Sequence, residues 1–141
     1  MIFIDTSALV PRYVDDEGPD PLAGVARPDE RILLSELARV EFRSVIARRL
    51  RSGRLSMKRA ERLLADFATD APGYDWIPVD GEVIRRAGAL VDRHALRTLD
   101  ALQLGGALHA ASGAPEPLRF LCFDARLVAA AEAEGLEILR A

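Results

Sequence analysis

Asp5, Glu41, Asp100 and Asp124 lie far apart in the chain, yet their settings are alike enough to read as one site. Asp5 ends the apolar run Met1-Ile2-Phe3-Ile4 and Asp124 ends Leu121-Cys122-Phe123, so both follow strand-like segments. In open α/β sheets, ligands bind just past the carboxyl ends of strands. Carboxylates gathered there repel one another and lose hydration unless a cation lies between them. An all-oxygen cage suits a hard ion such as Mg2+ or Mn2+, which combines a few carboxylates with phosphate oxygens. The chemistry that follows is metal-assisted hydrolysis of a phosphate ester.

Each acid also has a simpler reading. Asp5, Asp100 and Asp124 stand at or near predicted helix starts, where a carboxylate accepts free backbone N–H groups and contributes about 0.5–2 kcal/mol. Glu41 is different, because it lies inside a predicted helix with Leu37 and Val45 four residues to either side. Its face is apolar above and below, which turns the carboxylate toward the sheet; the alternative is a flank position paired with Arg48. The four acids together weigh more than any one of them.

Positioning them falls to alternating elements. Strands are predicted at 1–4, 31–34, 76–79, 119–123 and 136–139, and helices near 7–14, 35–52, 56–69, 80–94, 99–112 and 125–134. Ser35, Ser56 and Asp80 read as helix caps, Gly53 as a stop, and Pro11 as a residue that shortens or bends the first helix. Asp15-Asp16-Glu17-Gly18-Pro19-Asp20-Pro21 reads as a solvated loop. Strands separated by helices imply right-handed crossovers. The expected fold is α/β: a single domain over 1–141, with a mostly parallel four- to five-stranded sheet flanked by helices on both faces.

At 141 residues, half of them hydrophobic and 29% charged, the composition is that of an ordinary globular protein. A net charge of −3 argues against bulk electrostatic attachment to nucleic acid. A lone Cys122 makes no intramolecular disulfide, and His94 and His109 have no zinc-ligand spacing and read as structural or surface residues. No window approaches the roughly 20 apolar residues of a membrane helix, and no secretory signal opens the chain, so a cytoplasmic location is expected.

The segment Met1-Ile2-Phe3-Ile4-Asp5-Thr6-Ser7-Ala8-Leu9 resembles the opening of PIN-domain proteins, specifically VapC-type toxin ribonucleases. Ser35-Glu36-Leu37-Ala38-Arg39-Val40-Glu41, Arg97-Thr98-Leu99-Asp100-Ala101-Leu102-Gln103-Leu104 and Phe120-Leu121-Cys122-Phe123-Asp124-Ala125-Arg126-Leu127 are similar to the later acidic segments of that family, in the same order. The resemblance implies that Asp5, Glu41, Asp100 and Asp124 are the catalytic, metal-binding acids, with Thr6 or Ser7 bonded to Asp5 or to a metal-bound water. Two departures stand out. Cys122 occupies a position where the family often has Thr or Ser, and Gly105-Gly106 replaces bulkier helix formers, which suggests close helix packing.

The implied activity is a Mg2+- or Mn2+-dependent endoribonuclease of a VapBC-type toxin–antitoxin pair, with RNA as substrate. A cognate VapB-like antitoxin and a second copy of the chain are the implied protein partners. The apolar parts of the two helices at 35–69 are the candidate antitoxin groove. The alternative is a non-catalytic PIN-like module that binds RNA or protein. Nine basic residues in 39–62, against Glu41 and Glu61, make a candidate phosphate-tracking surface in which Arg39, Arg43 and Arg48 are the expected substrate contacts. Solvated helical faces and partner contacts are the competing uses of these arginines.

Overall fold

The computed structural model describes residues 1–14 and 19–140, so Asp15-Asp16-Glu17-Gly18 of the predicted loop lies outside the described residues. Strands β1 (Ile2–Ile4), β2 (Ile32–Ser35), β3 (Asp75–Ile77), β4 (Arg119–Leu121) and β5 (Glu137–Ile138) form one sheet in the order β3-β2-β1-β4-β5. Every neighbouring pair is parallel. The helices are α1 (Thr6–Leu9), α2 (Leu37–Arg51), α3 (Met57–Asp70), α4 (Gly81–Arg93), α5 (Thr98–Ser112) and α6 (Ala125–Ala133). This is the expected α/β architecture, with all five strands present. No described helix is long and apolar enough to cross a membrane.

The period of two along the strands builds a core on each side of the sheet. Ile2, Ile4, Leu34 and Leu121 face one way, toward Ala38, Phe42 and Ile46 of α2 and Leu63 and Phe67 of α3. Phe3, Leu33 and Phe120 face the other way, toward Leu90 of α4, Leu104 of α5 and Leu127 of α6. Strands buried on both faces read as continuous apolar runs, which is how β1 appears in the sequence.

Local signals hold at most boundaries. Ser56 Oγ accepts from Arg59 N at 3.2 Å, and Asp80 Oδ1 accepts from Glu82 N and Val83 N at 3.0 Å. The first helix is shorter than predicted: α1 gives way to a 3-10 turn over Val10–Arg12 that contains Pro11. Ser35 does not cap α2 from outside the sheet. It ends β2, is 1% exposed, and accepts from Leu37 N at 3.3 Å. The strand continues one residue further than its apolar run because β3 is there to pair with it, Ser35 opposite Ile77.

The two glycines of α5 do different work. A Cβ at Gly105 would lie 3.1 Å from the Val83 carbonyl oxygen and 3.3 Å from the Ala87 amide nitrogen, so α5 meets the backbone of α4 directly. At Gly106 the nearest atoms are the Phe3 ring at 3.6 Å and Ile77 at 3.7 Å, which is ordinary contact. In urea titrations, Gly105→Ala is expected to destabilise the protein by wedging α4 from α5. Gly106→Ala is expected to leave stability unchanged or raise it by up to about 1 kcal/mol through helix propensity. Equal losses at both positions would contradict this packing.

Candidate active site

The strand order reverses direction at β1. The chain runs from β1 outward through β2 to β3, then returns across the sheet to β4 on the other side of β1. The switch point therefore lies between β1 and β4, where a crevice forms outside the strand ends. Ile4 pairs with Leu121, and Asp5 N donates to Leu121 O at 2.9 Å, which sets Asp5 and the Cys122-Phe123-Asp124 turn side by side.

Asp5 and Asp124 both act as helix caps, so the simpler reading of each is true as well. Asp5 Oδ2 accepts from Ser7 N at 2.9 Å, and Asp124 Oδ1 accepts from Arg126 N and Leu127 N at 2.8 and 3.1 Å. These bonds pin one carboxylate oxygen of each, and among the described residues the other has no hydrogen-bond partner. Glu41 behaves in the same way. Its Oε2 accepts from the Thr6 hydroxyl at 2.5 Å and from Gln103 Nε2 at 2.6 Å, rather than pairing with Arg48. Asp100 stands in the first turn of α5.

The four acids share one electrostatic field. Burial pushes the Glu41 carboxyl above the ordinary carboxylate range, with the charges of Asp5 and Asp100 adding to it, while the bonds from Thr6 and Gln103 pull it back. Burial raises Asp100 too, followed by repulsion from Asp124 and Asp5. Among the described residues, no three His, Cys, Asp or Glu side chains form a group that would hold an ion as they stand. The donor set nevertheless suits a hard divalent cation, since among the described residues Asp5, Glu41 and Asp124 each keep an oxygen with no hydrogen-bond partner.

Cys122 sits between two of the acids. Its Sγ accepts from Asp124 N at 3.3 Å, approaches Asp5 Oδ2 at 3.6 Å, and lies 3.6 Å from Ser7 Oγ. A thiol thus stands where a hydroxyl would bridge, at the longer reach of sulfur. Burial and the charge of Asp5 push its pKa up to about 12. The hydroxyls next to Asp5 are occupied elsewhere: Thr6 bonds Glu41, and Ser7 Oγ accepts from Phe123 N at 3.0 Å.

The predicted arginines divide by helical phase. Arg48, seven residues after Glu41, lies on the same face of α2 and lines a groove of about 460 Å3 with Ser7, Val10, Val45, Arg49, Ser52 and Arg54. Arg39 and Arg43 are two residues from Glu41, on the opposite side. The Arg39 guanidinium lies 3.6 Å from the Trp76 ring centroid and pairs with Glu36 at 3.5 Å. Arg43 is exposed. His94 Nε2 contacts Glu134 at 2.8 Å, a surface pairing shared with Arg93.

Gln103 was not among the predicted site residues. It is 1% exposed, and with Asp5 and Thr6 it supplies three of the four buried polar side chains among the described residues. Its signal in the sequence is an isolated polar residue inside Ala101-Leu102-Gln103-Leu104-Gly105-Gly106-Ala107-Leu108, three residues after Asp100.

The family model described as the PIN domain matches residues 2–131. The chain belongs to the PIN-domain family. Two solved structures share the fold of this PIN domain. FitAcB from Neisseria gonorrhoeae aligns with a TM-score of 0.68 at 17% identity, over 99% of this chain and 97% of that one. DNA-bound VapBC from Salmonella typhimurium aligns with a TM-score of 0.69 at 15% identity, over 98% and 96%. At such identities the likeness is one of fold. No curated protein sequence matches this PIN domain.

Two outcomes test the electrostatics of this PIN domain. Asp100 is an acid whose folded pKa is raised, so its ionisation costs stability above its unfolded pKa. Asp100→Asn should therefore raise the thermal midpoint at neutral pH in EDTA; a lower midpoint would contradict the mutual repulsion. Cys122, buried and with its pKa near 12, should react with a disulfide reagent at pH 8 on the order of a thousandfold more slowly in the native than in the unfolded protein.

Proposed function

We propose that this chain is a Mg2+- or Mn2+-dependent endoribonuclease and the toxin half of a VapBC-type pair. The observation that carries the reading is the electrostatic coupling of Glu41 and Asp100 to each other and to Asp5 and Asp124 near the sheet's switch point, where burial and mutual repulsion raise the first two. The sequence motifs resemble the VapC type, and one structural neighbour is itself a VapBC complex.

Asp5, Glu41, Asp100 and Asp124 would hold the ion. When bound, a divalent cation of this kind lowers the pKa of a water and stabilises charge on phosphoryl oxygens. The chain's own residues do the rest. Ser7 N and the first turn of α6 fix one oxygen each of Asp5 and Asp124, so the remaining oxygens would be offered to the ion already oriented. Arg48 and Arg54, in the groove that begins at Ser7, offset the charge of incoming phosphates. Arg39, stacked on Trp76, and Arg43 lie on the opposite face of α2 from Glu41, which leaves Arg48 as the substrate contact among the three.

Phe123 supplies a face for a base. Phe3, Phe42, Phe67 and Phe120 are at most 6% exposed, whereas Phe123 is 51% exposed and stands between Cys122 and Asp124. Its amide is anchored to Ser7 Oγ, so the ring projects from a fixed turn at the rim of the site. An aromatic ring beside a phosphodiester-cleaving centre suits stacking of an unpaired base. A VapB-like antitoxin and a second copy of the chain are the protein partners of this reading, and the cytoplasm its location.

With purified protein, Asp5→Asn should abolish metal-dependent cleavage of RNA while leaving the circular dichroism spectrum unchanged. The wild-type products should carry a 5′-phosphate and a 3′-hydroxyl, since a water and not the 2′-hydroxyl attacks. Cleavage by Asp5→Asn at the wild-type rate sinks the assignment. Phe123→Ala should weaken binding of a single-stranded oligoribonucleotide by about 1–3 kcal/mol, with Phe123→Trp close to wild type. An unchanged alanine variant removes the stacking role.

A further inference from the structure

We infer that Gln103 is a positioning residue for Glu41, tying down one carboxylate oxygen so that the other is the one offered to the ion. The inference rests on the metal-dependent reading above. Gln103 Nε2 donates to Glu41 Oε2 at 2.6 Å and to Thr6 Oγ1 at 3.1 Å, while the Thr6 hydroxyl spends its single proton on the same Glu41 oxygen. Three elements are closed into one ring: α1 through Thr6, α2 through Glu41 and α5 through Gln103. Among the described residues, Glu41 Oε2 thus has two donors and Oε1 none.

The other end of the Gln103 amide carries the decisive observation. Its Oε1 is buried and has no hydrogen-bond partner. A buried carbonyl left unpaired is costly, and a methionine or leucine would fill this position in α5 without that cost. Reversing the amide would set its carbonyl against the Glu41 carboxylate and remove one of the two donors. The arrangement therefore gives up satisfaction of Gln103 Oε1 to keep an N–H on Glu41. That exchange is intelligible where the orientation of Glu41 matters more than core packing. Glu41 is the acid that needs such help, because Asp5 and Asp124 are oriented by backbone N–H groups of their own helix starts and Glu41 lies inside a helix.

The test is Mn2+ affinity, read by electron paramagnetic resonance of the free ion, for Gln103→Met in the wild-type and Glu41→Gln backgrounds. In the wild-type background the affinity should fall about tenfold or more, as for other groups that orient metal ligands. In the Glu41→Gln background the same change should add nothing. Thermal unfolding should show no loss of stability, since an unsatisfied carbonyl leaves the core with the glutamine. Gln103→Leu gives the same comparison should the methionine variant fail to fold. Wild-type affinity in Gln103→Met, or equal losses in both backgrounds, overturns the positioning role alone. A wild-type protein that binds no Mn2+ dependent on Asp5 overturns the nuclease reading, and this inference with it.

Discussion

Asp5 meets Asp124 because β1 pairs in parallel with β4 on one edge while its other edge pairs with β2. Parallel pairing puts the carboxyl ends of both strands on the same side of the sheet, and the crossover through β2, α2, α3, β3, α4 and α5 delivers Glu41 and Asp100 to that side as well. A shift of β4 by one residue against β1 would exchange Phe120 and Leu121 between the two cores and swing Asp124 away from Asp5. The apolar alternation that packs the sheet on both faces therefore also sets the position of the acids. Core and site are specified by one register.

The amino-terminal ends of the same two strands, β1 and β4, offer an internal contrast. Glu30, with a side chain 6% exposed, pairs with the Met1 ammonium at 2.7 Å and with Arg119 at 2.6 Å. The bond from the ammonium holds its carboxyl below the ordinary range. This is a carboxylate compensated by the protein itself. Glu41 and Asp100 are driven the other way, first by burial and then by further acids, with Arg97 offsetting only part of the effect at Asp100. Burial alone does not separate structural from chemical carboxylates; the sign of the neighbours does.

Much of this arrangement is legible in the sequence because its signals are local. Asp5 and Asp124 follow short apolar runs, Glu41 breaks the apolar face of a helix, and Gly105 marks the point where α5 runs tight against the backbone of α4. Helical phase separates Arg48 from Arg39 and Arg43, since two residues turn a helix by roughly 200° and seven return to the same face. That distinction needed no structure, only the period applied to the arginines as strictly as to the apolar residues. Ser35 was misassigned for the opposite reason. Its place at the end of β2 depends on β3, whose partner residue Ile77 is remote in sequence.

Gln103 marks where local reading ends. Its apolar neighbours mark Gln103 as buried but do not name its partners, because Thr6 and Glu41 come from elements separated by whole crossovers. Its burial follows from the phase of α5, where Gln103 shares a face with Asp100 and adjoins Leu104 and Ala107, all turned inward or toward the site. A polar side chain on such a face is either an error in packing or a bond waiting for its partner. Here the partner is the Glu41 carboxylate, so a buried glutamine on an apolar face has a polar bond to account for it. The same logic gives Cys122 its place: a buried member of the core beneath α4, α5 and α6, with its thiol pKa raised by its surroundings, set where it touches both Asp5 and the turn that presents Asp124.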